Sequence, residues 1–198
     1  MFKASKFRAA AFGYFGHMWE LYAFWAFIPL FLSAYSKAHD LALNHSLWSF
    51  IIIGAGSVGC VVSTNIAGRI GARKSASAIL LLSGVCCLVS PMLFNQGSLT
   101  LLLGFLILWG MLVIADSPLF STMVAQSAEP KWKGTALTIV NCIGFSVTIL
   151  SIQLLSTLKL SVSPMYLLTP LSIGPVLGLF AQFTQAVSYT HLTLPTIA

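Results

Sequence analysis

Charged side chains are scarce in this sequence: Asp, Glu, Lys and Arg make up 7% of it, against about 25% in ordinary soluble proteins. Acids are the scarcer sign, four against ten Lys and Arg. So small a set cannot clothe a water-facing surface. Burial in one soluble domain does not remedy this, because a chain of this size still leaves roughly 30% of its unfolded surface in water. The four cysteines, Cys60, Cys86, Cys87 and Cys142, fall in apolar stretches with no CxxC or Cys/His spacing. They suit neither zinc nor a redox pair and are expected to act as small buried hydrophobes. No metal site or cofactor is expected. A G-x-x-x-x-G-K-[ST] loop is missing, which argues against direct ATP-driven transport. The first apolar run is too long for a cleavable signal peptide, contains Glu20 and lacks a small-residue cleavage site.

What is there is hydrophobic: 58% of residues, with a mean hydropathy of +0.92. A bilayer core needs about 20 apolar residues of helix, and six segments reach that length, near 9–32, 46–68, 75–94, 99–123, 135–158 and 165–185. The uncharged stretch from Ser75 to Ala115 is too long for one crossing. Asn95, Gln96, Gly97 and Ser98 interrupt it, which implies two helices joined by a tight hairpin. The expected fold is therefore an all-α membrane protein, a six-helix transmembrane bundle over residues 1–187.

The net charge of +6 raises the question of nucleic acid, but the cations lie in short breaks between apolar runs rather than along a polar and aromatic face. With six spans, one side receives Lys3, Lys6, Arg8, Arg69, Arg73, Lys74, Lys131 and Lys133, and the other only Lys37 and Lys159. Positive loops stay cytoplasmic, so both termini are expected in the cytoplasm of a multi-pass protein of the cell membrane. Residues 188–198, from Ser188 to Ala198, break the pattern. They resemble translated adapter sequence from assembled reads, which would make the chain a fragment; a natural polar C-terminus is the alternative.

One segment mimics a soluble enzyme. Gly54, Gly56 and Gly59 spell G-x-G-x-x-G directly after Ile51, Ile52 and Ile53, as at a dinucleotide-binding strand and turn. That fold needs an acid about 20 residues later, and no Asp or Glu occurs between Asp40 and Asp116. Small residues in a membrane helix serve close helix packing instead.

Ionisable groups at membrane depth cost at least about 2.5 to 3.5 kcal/mol each on insertion scales, so those present are the candidates for function. Glu20 falls near the middle of the first span, with His17 one turn earlier on the same face. Asp116 lies toward the cytoplasmic end of the fourth span, followed by Ser117 and Pro118, which loosen the backbone there. Asn141 in the fifth span stands at comparable height and is expected to face Asp116 across a polar interior. Glu20 or Asp116 would exchange protons as a pathway opens to alternate sides, because protonation removes a buried charge and so biases a conformational equilibrium. Each acid could instead pair with a histidine, amide or backbone group and fix packing alone. The aromatic cluster Phe12, Tyr14, Phe15, Trp19, Tyr22, Phe24, Trp25 and Phe27 is expected mainly as lipid-facing anchors. A membrane enzyme is the rival class. It has only His39 and His45 flanking Asp40 on an outer loop to draw on, and no enzymatic activity is expected. A non-transporting assembly subunit is a third reading.

Gly68, Arg69, Ile70, Gly71, Ala72, Arg73 and Lys74 resemble the cytoplasmic loop G-x-x-x-D-R-x-G-R-R of the major facilitator superfamily. The Arg and second Gly match, and the basic pair follows one residue late. Gly68 stands at the aspartate position and Thr64 at the leading glycine, like the weaker copy in the C-terminal half of such transporters. The stretch from Ala115 to Phe145 is similar to the fourth and fifth helices of a half-transporter, and Gly13 to Pro29 to a seventh helix. The resemblance implies half of a twelve-helix carrier, a symporter or antiporter that moves a small solute by alternating access. Its other half would be missing or supplied by a second copy. It also implies a cytoplasmic gating loop at Arg69, Gly71, Arg73 and Lys74.

Overall fold

The computed structural model describes residues 2–192, and every regular element among them is helical. The helices are α1 (Ser5–Ala38), α2 (His45–Ile70), α3 (Ala72–Asn95), α4 (Leu99–Ala115), α5 (Ser117–Ser127), α6 (Lys133–Leu158) and α7 (Ile173–Leu192). Short 3₁₀ turns lie at Pro130–Trp132, Pro164–Tyr166 and Thr169–Ser172. Five helical spans are long and apolar enough to cross a membrane: His45–Ile70, Ala72–Asn95, Leu99–Ser127, Pro130–Leu158 and Pro164–Thr184. Exposed Phe50, Val61, Met92, Leu150 and Phe180 give these spans an apolar outer surface, as hydrocarbon contact requires. The chain is a multi-pass helical membrane bundle.

Two expected helices take a different form. The fourth is broken at Asp116 into α4 and α5, because Pro118 has no N–H to donate back into the preceding turn. The last does not begin as regular helix at Met165. Pro164 and Pro170 hold that approach in 3₁₀ turns, and α-helix starts only at Ile173. It then runs past Gln185 to Leu192, covering the first residues of the anomalous tail; Thr193 to Ala198 lie outside the described residues.

Helix α1 is 34 residues long, ample for a bilayer, but its Tyr, Trp, His and Glu residues keep it out of the five most apolar spans. Its composition follows from its place. Helices α5, α6 and α7 pack against α1, α2 pairs with α4, and α3 lies between α4 and α7. Ala10, Ala11, Ala23, Phe24, Ile28 and Phe31 are completely buried. Tyr14, Phe24 and Phe27 point inward rather than toward lipid, while Phe12 is exposed. A central helix meets protein on most sides and so needs less hydropathy than its neighbours.

Close packing rests on glycine. A Cβ at Gly59 would run into the Met111 carbonyl, and one at Gly110 into the Ile52 carbonyl. The G-x-G-x-x-G segment is thus continuous helix whose Gly56 and Gly59 face α4, while Gly54 has open space beside it. On the other side of the bundle, Gly16 and Gly174 bring α1 and α7 into backbone contact.

Candidate functional site

Two buried polar clusters hang on adjacent turns of α1. Glu20 is 1% exposed, and its Oε1 accepts three hydrogen bonds from two other helices. Ser83 Oγ of α3 donates at 2.5 Å, Trp109 Nε1 of α4 at 2.8 Å, and Cys87 Sγ of α3 at 3.4 Å. Phe24 packs at a tilt against Trp109 with ring centroids 4.6 Å apart, which helps to hold the indole with its N–H at the carboxylate. With Oε1 so fully used, a proton arriving at Glu20 would go to the other oxygen.

One turn earlier, His17 Nδ1 lies 2.7 Å from Asp116 Oδ1, both side chains buried. Asp116 Oδ1 has no hydrogen-bond partner among the described residues. His17 Nε2 is likewise buried without a partner. Asp116 owes its place to the α4–α5 break, where its own carbonyl accepts from Leu119 and Phe120 N–H to start α5.

The structure therefore joins His17 to Asp116 and sets Glu20 beside them on α1. Asn141 is not brought in: it stands partly exposed on α6, and among the described residues it shares no hydrogen bond with Asp116. In the basic segment, Gly71 alone connects α2 and α3. At φ +92° it caps both, its N–H donating to Ala67, a conformation that favours glycine. The expected loop is thus a one-residue turn. Arg69 lies in the last turn of α2, Arg73 donates to the Gln182 carbonyl of α7, and Lys74 is exposed. His39 and His45 go separate ways, His39 Nε2 to the Phe94 carbonyl at 2.9 Å and His45 Nε2 to Ser36 Oγ at 2.8 Å.

Sequence reasoning did not find Ser83, Cys87 or Trp109 as partners of Glu20. A Trp in the middle of an apolar span was the available signal, since a buried indole N–H needs an acceptor. Comparisons with protein-family models, curated proteins and solved structures find no match for this chain.

Proposed function

We propose that this chain is a six-span half of a secondary carrier of the major facilitator type, with α1 as the first span, moving a small solute by alternating access under a proton gradient. In this reading it lies in the cell membrane with both termini cytoplasmic, pairs with a second six-helix half or another copy, and catalyses no covalent chemistry. The observation that carries the proposal is the pair of acids, Glu20 and Asp116, enclosed in membrane-spanning helices and held by groups from other helices. Carboxylates at such depth are costly and mark ion or proton pathways. The break at Asp116 adds a discontinuous helix beside one of them, a feature that transporters use at their binding sites.

Protonation is the coupling event. A proton on Glu20 or on the His17–Asp116 pair changes the net charge of a site linking α1 to α3, α4 and α5. The preferred packing of those helices then differs between the two charge states. The test is uptake into proteoliposomes from a mixture of cell metabolites, with and without an imposed pH gradient, read by mass spectrometry of the lumen. At least one solute should accumulate only under the gradient, and Glu20→Gln or Asp116→Asn should abolish that accumulation while the protein remains inserted. Undiminished accumulation in the double variant rejects the coupling role. No accumulation of any solute under any gradient points to an assembly subunit.

A further inference from the structure

The inward face of α1 carries one layer of contacts per turn, and the neighbouring helices keep the same register. At the end of the bundle that bears the basic turn, a cavity of about 200 Å³ opens among α1, α3, α5 and α7, lined among others by Lys6, Ala9, Arg73, Met123, Gln126 and Gln182. The His17–Asp116 pair lies deeper. Ala9 precedes His17 by eight residues, about 12 Å of helix, and Glu20 lies a further turn beyond. One apolar layer stands between the cavity and the pair.

That layer is built around Phe120, which is completely buried. Phe120 follows Asp116 by one turn, Gly13 precedes His17 by one turn, and the two meet: a Cβ on Gly13 would run into the Phe120 ring. Gly178 of α7 and Leu80 of α3 close the remaining sides, since a Cβ on Gly178 would lie 3.0 Å from Leu80 Cδ2 and 3.5 Å from Gly13 Cα. The Gln182 amide borders the layer on the cavity side, where its Nε2 donates to the Ala9 carbonyl at 2.7 Å. Ala9 and Met123, one turn farther out on α1 and α5, already line the cavity. Water needs roughly two to four polar partners to occupy a buried position, and the side chains of Phe120 and Leu80 and the two glycines offer none. The pair beneath them does, for His17 Nε2 and Asp116 Oδ1 are both without a hydrogen-bond partner among the described residues.

We propose that Phe120 is a plug that closes the His17–Asp116 pair off from this cavity, and that α5 withdraws it by turning at the break that separates α5 from α4. Hinge motions are absorbed by a few residues at the ends of elements, and Ser117 and Pro118 stand at such an end. Seated against Gly13, the ring keeps the pair from the cavity. Drawn back with α5, it leaves cavity and pair as one continuous polar path. The inference rests on the proposed role of the pair in proton exchange, but its test reads access alone.

The chain holds four acids, so carboxyl labelling reads access directly. The purified full chain in detergent is treated with a water-soluble carbodiimide and glycinamide, and adducts at Glu20, Asp40, Asp116 and Glu129 are followed by peptide mass spectrometry. Asp40 and Glu129 are exposed and should react first, as internal standards, while Glu20 and Asp116 are protected in the parent. Phe120→Ala should raise the Asp116 rate relative to Glu129 by at least about tenfold, and Phe120→Leu by less. Glu20, one turn deeper, should stay protected in both. Gly13→Leu added to Phe120→Ala refills the layer from α1 and should restore protection of Asp116. Phe24→Ala removes an equally buried ring on the far side of Glu20 and should leave Asp116 protected. The plug is rejected if Asp116 labels in the parent as fast as Glu129, or stays protected in Phe120→Ala. It is rejected also if Glu20 and Asp116 are released together, if Phe24→Ala opens Asp116 equally, or if the double variant, folded by circular dichroism, remains as open as Phe120→Ala. A chain that moves no solute would remove the role of the pair in proton exchange and leave these rates as expected.

Discussion

At the scale of single residues, Glu20 is held by donors that cannot be replaced by lipid. Trp109→Phe keeps an aromatic ring against Phe24 but removes one of three donors to Oε1. Hydrogen bonds to charged groups are worth about 1.5 to 3 kcal/mol, so the thermal midpoint in detergent should fall. The same change in a Glu20→Gln background should matter less, because the neutral amide oxygen is the weaker acceptor; equal losses in both backgrounds would deny the link. His17 and Asp116 touch at 2.7 Å, so alanine at either should cost nearly as much as alanine at both. A double-mutant cycle on detergent stability should return a coupling of about 0.5 to 3 kcal/mol. Both acids and His17 were visible in the sequence because charge in an apolar run stands out. Ser83, Cys87 and Trp109 were not, since they lie 63, 67 and 89 residues from Glu20 and each is ordinary in its own span. Asn141 does not meet Asp116 for a related reason. Counting residues along a helix gives height, but Asn141 is turned about 100° from Val140, which packs inward.

At the scale of elements, the bundle separates glycines that pack from glycines that do not. Gly59→Ala and Gly110→Ala should each push α2 from α4, costing about 1 to 3 kcal/mol, while Gly54→Ala has free space and should be neutral or stabilising by roughly 0.5 to 1 kcal/mol. Thermal midpoints of the three variants check this; a loss at Gly54 equal to that at Gly59 would refute it. The hairpin at Asn95 to Ser98 and the extents of α2, α3 and α6 were legible because turn residues interrupt long apolar runs. The break at Asp116 was foreshadowed by Pro118. The 3₁₀ approach to α7 was not, because apolar length alone does not reveal how Pro164 and Pro170 partition a span.

For the whole molecule, the proposed topology makes a directional prediction. Single cysteines at Lys37 and Lys159 should react with a membrane-impermeant maleimide from outside intact cells, and those at Lys131 and Lys133 only after permeabilisation, in a background with the four native cysteines replaced. The reverse pattern would overturn the orientation. Five of the six expected spans are apolar and long enough to cross, and they were legible because each must cover the same thickness of hydrocarbon. Their arrangement around α1 was not, because an apolar helix surrounded by protein and one surrounded by lipid have similar compositions.

That central position has a consequence for biogenesis. Helix α1 is not among the five helical spans apolar enough to cross by composition, yet it leaves the ribosome before every partner that encloses it. Trp109 follows Glu20 by 89 residues, which at translation rates of about 5 to 20 residues per second is a delay of roughly 4 to 18 seconds. Through that interval Glu20 has no indole donor, so the enclosure that buries it is completed only once α4 has been made.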